Sequence, residues 1–258
     1  MTALDSPFPH RERIVYERNP LNEVICQVRF PPLLRLQAQT PFEFQEAIQD
    51  RFPVYGEGGP QVELPPQLVQ LLGSPLRTSN HKFLSEDGLW SASLESHFLA
   101  LTCGAYESWQ KFSEVLFDIL SKLNQIYKPS FFNRIGLRYQ NTIKREWLGN
   151  DADWADYINP SLVGPLADRQ LEDRIKEARA SMLISLNAGI DAVHFQHGLA
   201  SLDDNQTRCY LLDFDYYTDE RTDTEDATNV ISRLYSYSGP AFQWAITPRL
   251  HEAMGPRE

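Results

Sequence analysis

The stretch Asn22–Phe30, NEVICQVRF, constrains this chain more than any other. Val24, Cys26, Val28 and Phe30 alternate with Glu23, Ile25, Gln27 and Arg29, and only a half-buried β-strand puts every second residue on one face. Pro31 and Pro32 end the run, because proline has no N–H to give to a ladder. The pattern recurs at Asn133–Tyr139, NRIGLRY, with Ile135, Leu137 and Tyr139 opposite Arg134, Gly136 and Arg138. A shift of 111 residues that superposes Asn22 on Asn133 also superposes Leu101 on Leu212 and Tyr106 on Tyr217. The chain must therefore build at least two strands that each have one covered and one open face.

The intervening sequence predicts what covers them. Thr40, Pro41 and Glu43 open a short helix over 41–52, with Phe44, Ile48 and Phe52 at helical spacing. After the breaker-rich 56–60, strands are expected at Gln67–Leu72, Leu76–Leu84, Leu89–Glu95 and His97–Cys103, with a turn at Glu86-Asp87-Gly88. Tyr106–Tyr127 reads as a long amphipathic helix through Trp109, Phe112, Leu116, Ile119, Leu123 and Ile126, closed by Lys128-Pro129. In the second half a short helix is expected at Asp151–Ile158 and a charged connector at 166–179. Strands follow at Ser181–Leu186, Ala192–Leu199 and Arg208–Tyr217. Helices at 225–237 and 240–254 are predicted to be separated by Gly239-Pro240, and Gly255-Pro256 closes the second.

Each half thus runs strand, short helix, meander, long helix. That order predicts an α+β fold with an antiparallel sheet covered by helices on one side, in two halves, 1–129 and 130–258. A duplicated unit of this order is similar to the saddle of TATA-box-binding-protein-like folds; a single continuous α+β domain is the alternative.

Charge narrows the function classes. The 24 basic and 35 acidic residues give a net charge of −11, which disfavours binding to nucleic acid or to anionic membrane surfaces by the molecule as a whole. The balance is −4 over 1–100, +3 over 101–150 and −10 over 151–258, and Ile119–Arg145 holds no acid at all. The first residues show no apolar signal segment, no apolar run has the length of a membrane span, and three scattered cysteines make no disulfide framework. A reducing, cytoplasmic setting is expected.

At NPLNEVICQVRFPP (19–32), YESWQKF (106–112), NRIGLRYQN (133–141) and FQWAIT (242–247), the chain resembles a sporadically distributed family of uncharacterised bacterial and archaeal proteins of about this length. The most specific element is Asn133–Tyr139. The resemblance brings no catalytic residues, and its scattered occurrence implies mobile or defence-associated genes.

Several constellations bear on chemistry. His194 and His197, three apart on a strand, point to opposite faces and suit no single ion. Asp213 and Asp215 share a face and, with Asp203-Asp204 or Asp219-Glu220, offer oxygen ligands for a hard cation, though a closing bidentate Glu and a Gly-bearing loop are missing. No nucleophile elbow, phosphate loop, dinucleotide fingerprint, H-E-x-x-H or C-x-x-C occurs. Cys26 and Cys103 lie on apolar strand faces and read as inert core thiols, and Trp109, Trp147, Trp154 and Trp244 as packing.

The polar row Arg134, Gly136, Arg138 and Gln140 is the candidate recognition face, joined by Gln27 and Arg29 from the first strand. Guanidinium forks suit carboxylates and phosphates, and a glycine between them lets a ligand approach the backbone. The reading is a non-catalytic module that binds a partner protein, in a prokaryotic defence or toxin-neutralising cassette, with no cofactor and no metal; homo-oligomers are left open. The alternatives are a nucleic-acid-binding saddle and a metal-dependent enzyme at the Asp213/Asp215 edge.

Overall fold

The computed structural model describes residues 6–9, 12–57, 81–148, 153–201 and 208–257. It is an α+β fold. The strands are β1 (Val15–Tyr16), β2 (Leu21–Arg29), β3 (Val54–Glu57), β4 (His81–Leu84), β5 (Trp90–Glu95), β6 (Phe98–Cys103), β7 (Arg134–Lys144), β8 (Ala178–Leu186), β9 (Asp191–Ser201), β10 (Arg208–Thr218) and β11 (Pro256–Arg257). Nine of them form an antiparallel sheet in the order β3-β4-β5-β6-β2-β7-β10-β9-β8, and β1 pairs with β11. The predicted strand Gln67–Leu72, the start of Leu76–Leu84 and Asp203-Asp204 lie outside the described residues. Among the described residues, no helix is long and apolar enough to cross a membrane.

The chain divides into two compact units, both discontinuous in sequence. One comprises Ile25–Ile135 and Glu220–Thr228. It holds α1 (Leu34–Ala38), α2 (Phe42–Ile48) and α3 (Trp109–Ile126). The side chain of Ser108 caps α3 by accepting from the Lys111 amide at 3.3 Å. Phe112, Leu116, Ile119 and Leu123 of its stripe are buried, and Trp90 of β5 stacks on Phe112 with ring centres 5.9 Å apart. Phe44 of α2 meets Phe83 of β4 at 5.8 Å. Burying each such ring contributes about 1.5–3 kcal/mol. The turn at Glu86-Asp87-Gly88 forms: Asp87 accepts from the Ser85 hydroxyl and the Leu89 amide, and Gly88 takes φ +71°. Cys26 and Cys103 are buried and belong to no disulfide, and burial pushes the Cys103 thiol up.

The other unit comprises Met1–Val24, Gly136–Asp219 and Asn229–Glu258. Its helices are α4 (Trp154–Tyr157), α5 (Pro160–Val163), α6 (Arg169–Glu172), α7 (Ala227–Ala245, beginning in the first unit) and α8 (Pro248–Met254). Tyr210, Leu212, Phe214 and Tyr216 of β10 are buried under them, alternating with half-buried Leu211, Asp213 and Asp215. Phe195 and Phe214 stack with centres 4.2 Å apart, Tyr216 lies against Tyr237 of α7, and Trp154 lies against Tyr210. Asp191 is the buried polar anchor: its side chain has 0% exposure, Arg233 grips it through Nε and Nη2 at 2.8 and 3.0 Å, and the Tyr237 hydroxyl donates at 2.9 Å.

Several boundaries differ from expectation, four of them informatively. β7 runs on to Lys144 because Thr142 donates its amide to the Pro20 carbonyl and Asn141 donates its side-chain amide to the Leu212 carbonyl, so polar residues continue the ladder. β8 starts at Ala178, and α6 occupies part of the predicted connector. The short helix expected at Asp151–Ile158 is confined, among the described residues, to Trp154–Tyr157. Gly239-Pro240 does not break the last helices: α7 passes through Pro240. Arg13 packs against Gly239, where a Cβ would lie 3.3 Å from its Cγ, and donates to the Tyr235 carbonyl. The break falls instead at Thr247-Pro248, where the Thr247 hydroxyl accepts from the Leu250 amide.

Candidate functional site: a polar hollow on the open sheet face

Within the unit that contains residues 136–219, the face of the sheet opposite the helices carries a hollow of about 470 Å³. Strand alternation brings its lining together. Arg138, Gln140 and Thr142 come from β7, Leu211 and Asp213 from β10, Gln196 and Gly198 from β9, and Arg179 and Ser181 from β8, while Asn22 adds an amide from β2. The register places Asp213 opposite Gln196 and Gln196 opposite Ser181, so one row of polar side chains crosses three strands.

Arg138 donates from Nε to Asp213 Oδ1 at 2.8 Å and from Nη2 to Oδ2 at 2.5 Å. This fork raises the Arg138 pKa above the ordinary arginine value, against the effect of burial, and Asp215 and Glu23 add to it. Both oxygens of Asp213 thereby face the guanidinium, whose positive charge opposes a cation at the same carboxylate. Among the described residues no group of three His, Cys, Asp or Glu side chains is placed to hold a metal ion.

Gly198 shapes the hollow. It takes φ +150°, and a Cβ there would come within 1.8 Å of the Ala178 carbonyl oxygen. Only glycine lets β8 approach β9 this closely. The two histidines of β9 separate as their spacing requires. His194 Nε2 lies 2.7 Å from the Ser181 hydroxyl on the open face, whereas buried His197 meets the Tyr210 hydroxyl at 2.9 Å. Burial pushes the His197 pKa down.

Of the residues read as a recognition face, Arg138 and Gln140 reach the hollow, and Gly136 lies buried in the same strand. Gln27, Arg29 and Arg134 belong to the other unit. There Arg29 Nε donates to Gln27 Oε1 at 2.8 Å. Asn22, Arg179, Ser181 and Gln196 form no motif in the sequence; the signal there is the glycine inside the 192–199 strand pattern, which marks close backbone approach.

No protein-family model and no curated protein matches the chain.

Proposed function

We propose that the protein is a non-catalytic interaction module whose open sheet face, in the unit containing residues 136–219, receives a segment of a partner protein. The observation that carries this reading is the hollow itself: amides and hydroxyls of Asn22, Gln140, Gln196 and Ser181 gathered around a guanidinium that Asp213 already neutralises. Such a lining can satisfy donors and acceptors of a peptide without assembling a nucleophile or a metal. The setting we favour is a cytoplasmic defence or toxin-neutralising cassette, on the strength of the family resemblance and of the −10 charge over 151–258, which would steer a basic partner.

The test is co-expression with the products of neighbouring genes, followed by purification of a stoichiometric complex. Gln196 is exposed, so Gln196→Trp fills the hollow while changing stability by no more than about 0.5 kcal/mol. Loss of the complex with a folded variant supports the reading, and an unaltered complex removes it.

A second reading, a nucleic-acid-binding saddle, is favoured by the strand order, in which β6-β2 of the first half and β7-β10 of the second occupy the centre. It predicts that a labelled single-stranded oligonucleotide binds with steep salt dependence.

A further inference from the structure

Resting on the reading above, we propose that the partner segment is an extended strand added antiparallel to the free edge of β8. It carries an apolar residue opposite Leu183 and, four positions later, an acidic residue opposite Arg179.

β8 ends the nine-stranded order, and among the described residues its strand partner is β9 alone. The opposite end of the sheet is blunted: β3 has four residues and follows Pro53. β8 has nine residues, ARASMLISL, with no proline and a single charge. Edges are ordinarily protected by brevity, proline or charge, and an unprotected edge is a template for another strand.

The side chains on that edge specify what fits. Arg179, Ser181, Leu183 and Ser185 form its open-face row and are all exposed, and Leu183, at 68%, is the most exposed large apolar side chain on any described strand. Among the described residues the ion-pair partner of Arg179 is Glu177, 2.6 Å away, and both side chains are more than half exposed. An exposed pair of this kind exchanges readily for another carboxylate. Cross-strand neighbours interact directly, so an acid opposite Arg179 and an apolar residue opposite Leu183 are the complementary choices. The hollow begins at Arg179 and Ser181, which gives side chains of the added strand a place to reach across the sheet.

A second copy of the chain fits less well. Antiparallel self-pairing about Met182 sets Arg179 against Ser185 and Leu183 against Ser181, which matches neither residue. Two copies would also bring together net charges of −11 each.

The probe is a synthetic nine-residue peptide of Thr and Val with one Leu and, four residues after it, one Glu, titrated by fluorescence anisotropy into the full chain. Saturable binding is expected, at least tenfold weaker when the Glu is replaced by Lys, when the ladder-facing amides are N-methylated, or with Arg179→Glu. The Lys peptide should recover at least tenfold on Arg179→Glu. Absence of saturation at millimolar peptide, or binding indifferent to N-methylation, overturns the proposal. So does a dimer of the chain alone that Ser181→Pro dissolves. If Gln196→Trp abolishes the partner complex while Arg179→Glu leaves it intact, the edge proposal fails and the interaction reading stands. If Gln196→Trp has no effect, the interaction reading fails whatever the peptide does.

Discussion

Arg138 closes its fork on both oxygens of Asp213, across the pairing of two strands whose sequence positions lie 75 residues apart. The arginine side chain is 38% exposed and the aspartate 18%, between the surface regime of about 0–1 kcal/mol and the 3–5 kcal/mol loss on breaking a buried pair. Arg138→Ala should therefore cost about 1–2 kcal/mol in urea denaturation at neutral pH. The double variant Arg138→Ala/Asp213→Ala should cost less than the sum of the single ones. A single-variant loss below about 0.5 kcal/mol would mean that the pair is idle.

Gly198→Ala should be far more damaging than its chemistry suggests. A methyl group 1.8 Å from the Ala178 oxygen must push β8 away from β9, and soluble yield should collapse. Gly56→Ala, whose nearest neighbours stand at 3.9 Å, is the matched control and should lose only about 1 kcal/mol or less. Equal melting temperatures for the two variants would disprove the steric account.

Removal of the buried Asp191 carboxylate takes away an acceptor that Arg233 and Tyr237 share. Asp191→Ala should cost about 3–5 kcal/mol, whereas Tyr237→Phe, which deletes one hydrogen bond to a charged group, should cost about 1.5–3. The reverse ranking by chemical denaturation would show that Asp191 is not the anchor.

His197 gives the unit a pH dependence of definite sign. Burial holds its folded pKa below the ordinary 6.5, so as pH falls below that value the unfolded chain takes up the proton first. Stability is present in full above about pH 6.5 and declines toward the lowered folded pKa, by at most about 1.4 kcal/mol per pH unit. Glu95 and Glu172, whose pKa values burial raises, act in the opposite sense, losing stability as pH rises above the ordinary carboxyl range. The decisive measurement is therefore a difference: the gap between the parent and His197→Phe should narrow as pH falls from 6.5 to 5. A constant gap would assign no proton linkage to His197.

Alternation in NEVICQVRF and NRIGLRY gave the strands and their buried faces directly, because a period of two is visible within one segment. The stripe of α3 was equally plain. β7 past Tyr139 was not, since Asn141 and Thr142 are buried polar residues whose partners, the Leu212 carbonyl and Asn22, lie 71 and 120 residues away. Gly239-Pro240 reads as a break because proline takes an N–H out of a helix, yet α7 carries it through beside a tertiary contact that no local pattern reveals, Arg13 packed on Gly239. Arg138 and Gln140 could be read as one polar row. The hollow could not, because it depends on the register of β8, β9 and β10 against one another.

The pairing of Val15 and Tyr16 with Arg257 and Pro256, together with Arg13 on the Tyr235 carbonyl, ties the first residues of one unit to its last. On a ribosome that unit cannot close until residue 257 has emerged, whereas every residue assigned to the other unit has been made by Thr228. During synthesis β2 and β7, each with residues in both units, are therefore exposed to wrong strand pairing for the time needed to add residues 229–257.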